Sequence, residues 1–338
     1  MKKKTKVLIL IIFTIAIVFT IFAIIPPKKA MDVNPFIIEE GDRPLIAAHR
    51  GGKILNPENT FKAMDYSVYN IGVDILEMDL CITKDNYLVL NHNDSINSCT
   101  DVEEIQGNTN AYFIKDHTLE ELRFFNFGYN FKNREGEYPY RNILDDVNFS
   151  DRYEVLKEND LGVITIEELF ERYKNVDLLY IIEIKDSDEL GYKAADILYQ
   201  TMEKYNMLKK VAIGTFNTEV EEYLIKKYPN TIRGGSVGGV TGFVITQMLG
   251  VNIFDNSSFA CLQIPTSRKA FGLEISLDKM TYINRAHRRN ISVQFWTIND
   301  KEEMRRLIEM GADVIMTDCP DVMYELLVEM GYYQGGEE

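Results

Sequence analysis

The chain has 338 residues, 46% of them apolar, and a formal net charge of −15. That much apolar material can build a large core, as one big domain or two. The acidic balance excludes nucleic acid as a partner and peripheral docking on anionic lipid, so any phosphate site must carry its own local positive charge.

The four cysteines, Cys81, Cys99, Cys261 and Cys319, form no Cys-x-x-Cys pair and show no zinc spacing. They read as four separate thiols. A disulfide stays open for a chain outside the cell, because connectivity is not legible in sequence.

The chain begins with Lys2, Lys3, Lys4 and Lys6, then an apolar-dominated run from Val7 to Ile25, closed by Pro26-Pro27-Lys28-Lys29. The run has the length of a membrane span, about 20 residues. It exceeds a usual signal-peptide apolar region, and no small-x-small cleavage site follows it cleanly. Residues 1–29 are therefore expected to be an uncleaved transmembrane anchor, with a cleaved signal as the alternative. The basic flank should stay in the cytoplasm. The protein is then a single-pass protein of the cell membrane, with its bulk on the extracytoplasmic side. Residues 30–42 read as a short polar tether.

From residue 43 onward, strand-like and helix-like segments alternate. Leu45–Ala48 is the first strand. The segment after it is a helix with apolar residues at Phe61, Met64, Val68 and Ile71, capped by Asn59 or Thr60. Asp74–Leu80 and Tyr87–Leu90 follow as strands, joined so tightly at Lys84-Asp85-Asn86 that they should run antiparallel or locally irregular. Residues 95–163 are long, polar and aromatic, with a helix start at Thr118. Their run from Phe124 to Tyr129 is either a surface excursion packed on the core or a pocket lining.

Regular alternation then resumes. Strands are expected at Leu178–Ile184, Val211–Thr215, Thr231–Gly235, Cys261–Ile264, Ser292–Thr297 and Val314–Thr317. Helices are expected at Thr165–Lys174, Leu190–Tyr205, Glu219–Tyr228, Phe243–Leu249, Leu277–Arg289, Lys301–Met310 and Val322–Met330. Gly234-Gly235 and Gly238-Gly239 read as a flexible loop. No Lys-Ser/Thr follows them, so they are not a phosphate loop. About eight strand-helix units in roughly 290 residues favour closure into a parallel TIM (β/α)8 barrel over an open doubly wound sheet. The open sheet would favour a Gly-x-Gly-x-x-Gly turn after the first strand, and none is present. The barrel is expected over 43–330.

Several strand ends carry reactive side chains. Glu77 and Asp79 are two apart on one strand and share a face. Hard carboxylate oxygens suit magnesium or calcium, although such a pair is also common at a solvated edge. Of four histidines, His49 and His92 end strands, and histidine titrates where general acid and base chemistry needs it. His117 and His287 lie at a helix start and on a helix surface and read as bystanders.

His49-Arg50-Gly51, Pro57-Glu58-Asn59-Thr60, Glu77-x-Asp79, Thr83-x-Asp85 and His92 occur in that order. Glu183-Ile184-Lys185, Trp296-Thr297-Ile298-Asn299 and Gly311-Ala312-Asp313 through Asp318-Cys319-Pro320 follow. Taken together, this pattern resembles the glycerophosphodiester phosphodiesterase family from about Leu45 to Leu327. The resemblance implies a barrel with an insertion after the third strand. It implies hydrolysis of a small phosphodiester to glycerol 3-phosphate and an alcohol. It implies a divalent cation held by Glu77, Asp79 and Glu183, with His49 and His92 as the catalytic pair. Arg50 and Lys185 would contact phosphate, and Trp296 either packs on the glycerol or belongs to the core. Glu58 and Asn59 would support the loop beside His49.

One departure stands out. The family usually has Asp directly after its second histidine and Arg a few residues on, where this chain has Asn93 and Ser98. That leaves the orienting partner of His92 open. Rival readings are the same chemistry on lysophospholipids or a cell-wall glycerophosphate polymer, and a non-catalytic binding barrel. An amidohydrolase would want His-x-His on the first strand, and His49-Arg50-Gly51 does not supply it. Oligomeric state is not legible.

Overall fold

The computed structural model describes residues 3–25, 27–39, 41–251, 254–270 and 272–333. Its strands in chain order are β1 (Leu45–Ala48), β2 (Ile75–Ile82), β3 (Leu88–Leu90), β4 (Leu179–Ile184), β5 (Val211–Gly214) and β6 (Ile232–Arg233). They continue with β7 (Cys261–Ile264), β8 (Ser267–Ala270), β9 (Leu273–Ser276), β10 (Ser292–Phe295) and β11 (Val314–Thr317). Eight of them run parallel in the order β6-β5-β4-β2-β1-β11-β10-β7. A single parallel bridge from Gly234 to Cys261 spans the remaining gap. The result is a nearly closed eight-stranded parallel barrel with helices around it, which agrees with a TIM-barrel fold.

The side-chain period of two builds both faces of this barrel. On β2 the even positions Leu76, Met78 and Leu80 join the large outer core beneath the helices, together with Tyr180, Ile182 and Ile184 of β4. The odd positions point inward. At the start of each strand the inward side chains are apolar, as with Ala47, Ile75, Ile181, Ala212 and Val314 in the inner cluster. Further along the same rows stand Glu77, Asp79 and Glu183. Each inward row therefore turns from apolar to charged on the way to the C-terminal rim, which is where a barrel of this type puts its chemistry.

β3 pairs antiparallel with β2, as the tight turn between them demands. The residues between β3 and β4 form a side structure with its own apolar clusters, one around Leu122, Phe125 and Phe127 and one around Leu144, Leu156 and Leu161. The expected helix start at Thr118 is a full capping box, with Thr118 and Glu121 bonding each other's backbone.

Three local expectations need correction. Gly238 and Gly239 do not form a flexible loop: they lie in the first turn of a helix, Val237–Met248, whose cap Ser236 accepts from Gly239 N. The helix expected at Leu277–Arg289 starts later, at Met280, and the unassigned residues before it form an antiparallel hairpin of β8 and β9. The third concerns the stretch read as a tether. Phe36 is fully buried and packs in the inner cluster with Ala47, Ile75 and Val314. Asn34 Nδ2 donates to Ala260 O at 2.8 Å, Ser292 Oγ donates to Phe36 O at 2.8 Å, and Ile38 N donates to Asp313 Oδ1 at 3.2 Å. Ala260, Ser292 and Asp313 sit at or just before the N-terminal ends of β7, β10 and β11. Residues 34–38 thus plug the floor of the barrel and are part of the fold.

The N-terminal run is a helix, Lys3–Ile24. Among the described residues no helix is long and apolar enough to cross a membrane. The transmembrane helix expected from the sequence is therefore not carried by the described structure. All four cysteines are free thiols.

Candidate active site

A cavity of about 250 Å³ opens at the C-terminal rim, and His49, Arg50, Glu77, Asp79, His92, Glu183, Lys185 and Trp296 all line it. The fold brings them together for simple reasons. Glu77 and Asp79 are inward on β2, and Asp79 is in register with Glu183 on β4. Lys185 continues the inward row of β4. His49 and Arg50 begin a short turn directly after β1. Arg50 has φ +53, and the glycines that follow, at φ +81 and +90, leave no room for a Cβ against Met64 and Ser67.

The charges neutralise one another in pairs. Lys185 Nζ lies 2.9 Å from Glu183 Oε1 and 3.5 Å from Asp79 Oδ1. Arg50 Nη1 donates to both oxygens of Glu58, at 3.2 and 3.1 Å, and its Nε sits 3.5 Å from Asp79 Oδ2. That Nε is buried and makes no hydrogen bond, with the Asp79 carboxylate as its neighbouring acid. Arg50 N donates to Glu77 Oε2 at 2.8 Å. Asn59 does not cap the helix. Thr60 does, and Asn59 Nδ2 donates to Asp79 Oδ2 at 3.2 Å. Glu58 and Asn59 therefore brace Arg50 and Asp79.

Burial, reinforced by Asp79, pushes the Glu77 carboxyl up to about 7. Burial also raises Glu183, with Lys185 opposing it. Burial lowers the Lys185 ammonium, but Asp79 and Glu183 outweigh it and the net shift is upward. Three carboxylates converging on one rim are costly unless cations offset them. Lys185 and Arg50 do so here, and among the described residues no group of three His, Cys, Asp or Glu side chains is placed to hold a metal ion. The donor chemistry nonetheless fits a hard divalent cation: three carboxylates on adjacent strands, facing one cavity.

The two histidines are held differently. His49 Nδ1 lies 2.5 Å from Asp318 Oδ1, and its Nε2 lies 3.9 Å from Glu77 Oε2. Burial pulls this imidazole down, but Glu77 and Asp318 outweigh burial and raise it. Asp318 is itself fixed: Asn299 Nδ2 donates to its Oδ2 at 2.8 Å, and its backbone N donates to Asn299 Oδ1 at 2.9 Å. His92 Nδ1 instead meets the amide oxygen of Asn93 at 2.9 Å, and Asn93 Nδ2 donates to Ser98 Oγ at 2.9 Å. Asn93 and Ser98 thus form a neutral relay behind His92. Burial lowers His92, with Asp79 and Asn93 partly opposing it.

The profile of the glycerophosphoryl diester phosphodiesterase family matches residues 49–322. The chain belongs to this family. A glycerophosphodiester phosphodiesterase of Caldanaerobacter subterraneus is 25% identical over 287 residues, covering 85% of this chain and 99% of that protein. The human lysophospholipase D GDPD1 is 27% identical over 297 residues, covering 83% and 85%. Among solved structures, an Oleispira antarctica phosphodiesterase in complex with the product sn-glycerol-3-phosphate superimposes with a TM-score of 0.60 at 17% identity, covering 85% of this chain and 97% of that one. A Mycobacterium tuberculosis domain of the same family gives 0.65 at 16%, covering 84% and 99%. The fold is thus that of a family of phosphoric diester hydrolases.

Trp296 is half-buried at the cavity edge, its ring 6.0 Å from that of Phe216 in an edge-on pair. Phe216 is 56% exposed. His117 and His287 lie elsewhere. His117 stacks on Tyr112 at 3.6 Å, and His287 Nε2 bonds Asp313 Oδ2 at 2.8 Å near the barrel floor. Sequence reasoning missed Asp318 as the partner of His49, 269 residues away. It also missed Lys53, whose Nζ lies 3.5 Å from Asp318 at the same rim. The only sequence signal was the placement of Asp318 directly after the last strand.

Proposed function

We propose that this protein hydrolyses glycerophosphodiesters to glycerol 3-phosphate and an alcohol. The observation that carries the reading is the pair of imidazoles, His49 and His92, facing one cavity whose wall carries Arg50, Lys185 and three carboxylates. Glu77, Asp79 and Glu183 would hold the divalent cation, magnesium or calcium. Bound there, such an ion supplies Lewis-acid polarisation of a phosphoryl oxygen. Arg50 and Lys185 draw in the phosphate and offset its charge. One imidazole takes the proton of the attacking oxygen. The other gives a proton to the alcohol oxygen as its bond to phosphorus breaks. The attacker is water, or the substrate's neighbouring hydroxyl with a cyclic phosphate that water then opens.

A panel of glycerophosphodiesters with and without chelator tests this directly. Turnover should be abolished by chelator and restored by added magnesium or calcium. Full activity in excess chelator would reject the three-carboxylate site, and no turnover of any diester would reject the function. A second reading, the same chemistry on lysophospholipids, is favoured by the exposed Phe216 beside Trp296, an apolar rim that an acyl arm would cover.

The N-terminal helix belongs, in this reading, to the membrane. Its described apolar residues, among them Leu10 and Phe13 at 64% exposure, pack on no part of the barrel core. A helix apolar all round needs an apolar surrounding. The chain leaves it at the barrel floor, where Ala30 N donates to Arg289 O at 2.7 Å, so the cavity opens on the far face. Protease added outside intact cells should then digest the barrel. Protection until lysis would sink this orientation.

A further inference from the structure

A second cavity, of about 380 Å³, adjoins the first and shares Arg50, Lys53 and His92 with it. Its other wall comes from the side structure between β3 and β4, with Phe127, Asn130, Phe131 and Lys132. The two cavities differ in charge. In the first, Arg50, Lys53 and Lys185 face Glu77, Asp79 and Glu183, an even balance. The second is lined by Arg50, Lys53 and Lys132 with Glu58 as its one lining acid, Asp79 and Asp318 lying behind Arg50 and Lys53. A local cationic excess in a chain of net charge −15 is the reverse of its surroundings.

The cations are not equivalent. Arg50 is paired with Glu58 and Lys53 with Asp318. Both line the first cavity as well. Lys132 lines only the second cavity. Its one recorded partner among the described residues is the ring of Tyr138, 6.0 Å away. The neutral relay of Asn93 and Ser98 adds polar atoms to the same wall without adding charge.

Resting on the hydrolase reading above, we infer that this second cavity is the subsite for the leaving alcohol and that it selects an alcohol bearing a second anionic group. A diester held at His92 puts one arm in the carboxylate-lined cavity and the other across His92 into this one. Lys132, with the paired Arg50 and Lys53 behind it, attracts a phosphate-bearing alcohol, such as the next unit of a glycerophosphate chain. The same cations repel a quaternary ammonium alcohol, although Phe127 and Phe131 alone would favour it.

The test uses the full chain and three diesters of glycerol 3-phosphate. Their alcohols are glycerol (neutral), choline (cationic) and a second glycerol 3-phosphate (anionic). The anionic alcohol should give the highest kcat/KM and choline the lowest, and added salt should narrow the spread. Lys132→Gln should lower the anionic-to-neutral ratio about twofold to tenfold, the range expected for one exposed charge against a phosphate. Lys132→Glu should lower it further and raise the choline diester relative to the others. Cleavage of all three with a ratio that neither variant moves would overturn the subsite and leave the hydrolase reading standing. The same holds if choline is preferred. Turnover of none would overturn both.

Discussion

Replacing His49 with alanine should lower turnover of a glycerophosphodiester by roughly a hundredfold to ten-thousandfold, the usual worth of a positioned proton-transfer group. His92→Ala should cost a similar factor, and the double variant little more than either, because the two act as a unit. A nitrophenol diester separates their roles. Its leaving group needs no proton, so the variant lacking the acid should recover most of its rate and the variant lacking the base should not. Near wild-type turnover by His92→Ala on natural diesters would sink the two-histidine scheme.

Asp318 sharpens the test. Asn299 Oδ1 accepts from Asp318 N and from Thr317 Oγ1 at 3.1 Å, so its Nδ2 must face Asp318 Oδ2. An asparagine at 318 has a single carbonyl oxygen for two donors, Asn299 Nδ2–H and the His49 ring, and must abandon one of them. It also removes the charge that helps raise His49. The sign follows. Without that carboxylate the folded-state pKa of His49 falls, so whichever limb of the kcat–pH profile belongs to His49 moves to lower pH. Asp318→Asn should show that displacement together with a lower plateau. A lower plateau with both limbs in place would mean that Asp318 serves only the fold.

The charged rim of the barrel was legible because its signals are local. Glu77-x-Asp79 on an apolar strand states both the face and the charge, and Cys261–Ile264 and Val314–Thr317 are strands with the bounds their apolar runs suggest. What the sequence hid is long-range or unpatterned. Nothing near His49 points to Asp318. The relay from His92 through Asn93 to Ser98 depends on a turn that brings residues five apart together. The helix read at Phe243–Leu249 begins earlier, at Val237, a start obscured by the glycines of its first turn. Phe36 is one aromatic residue in a polar stretch with no period, so its burial depends on a hole that exists only once eight strands have closed around it.

That hole gives the largest stability effect expected outside the outer core. Phe36 is fully buried, and its neighbours Ala47, Ile75, Ala212 and Val314 come from four different strands. Those strands are fixed by their ladders, so they cannot collapse into the space a smaller side chain would leave. Phe36→Ala should therefore cost about 3–5 kcal/mol, the transfer loss together with a cavity that stays open. The main-chain contacts of the plug, Ser292 Oγ to Phe36 O and Asn34 Nδ2 to Ala260 O, would remain in that variant. Shortening the chain separates plug from tether. A protein starting at Ala30 should unfold at the same denaturant midpoint as the full chain. One starting at Arg43 loses the plug with all its hydrogen bonds and should unfold at a much lower midpoint, below that of Phe36→Ala. The rim lies at the opposite end of the strands, so Phe36→Ala assayed well below its melting temperature should keep its KM. Equal midpoints for the proteins starting at Ala30 and Arg43 would show that residues 30–42 are a tether after all.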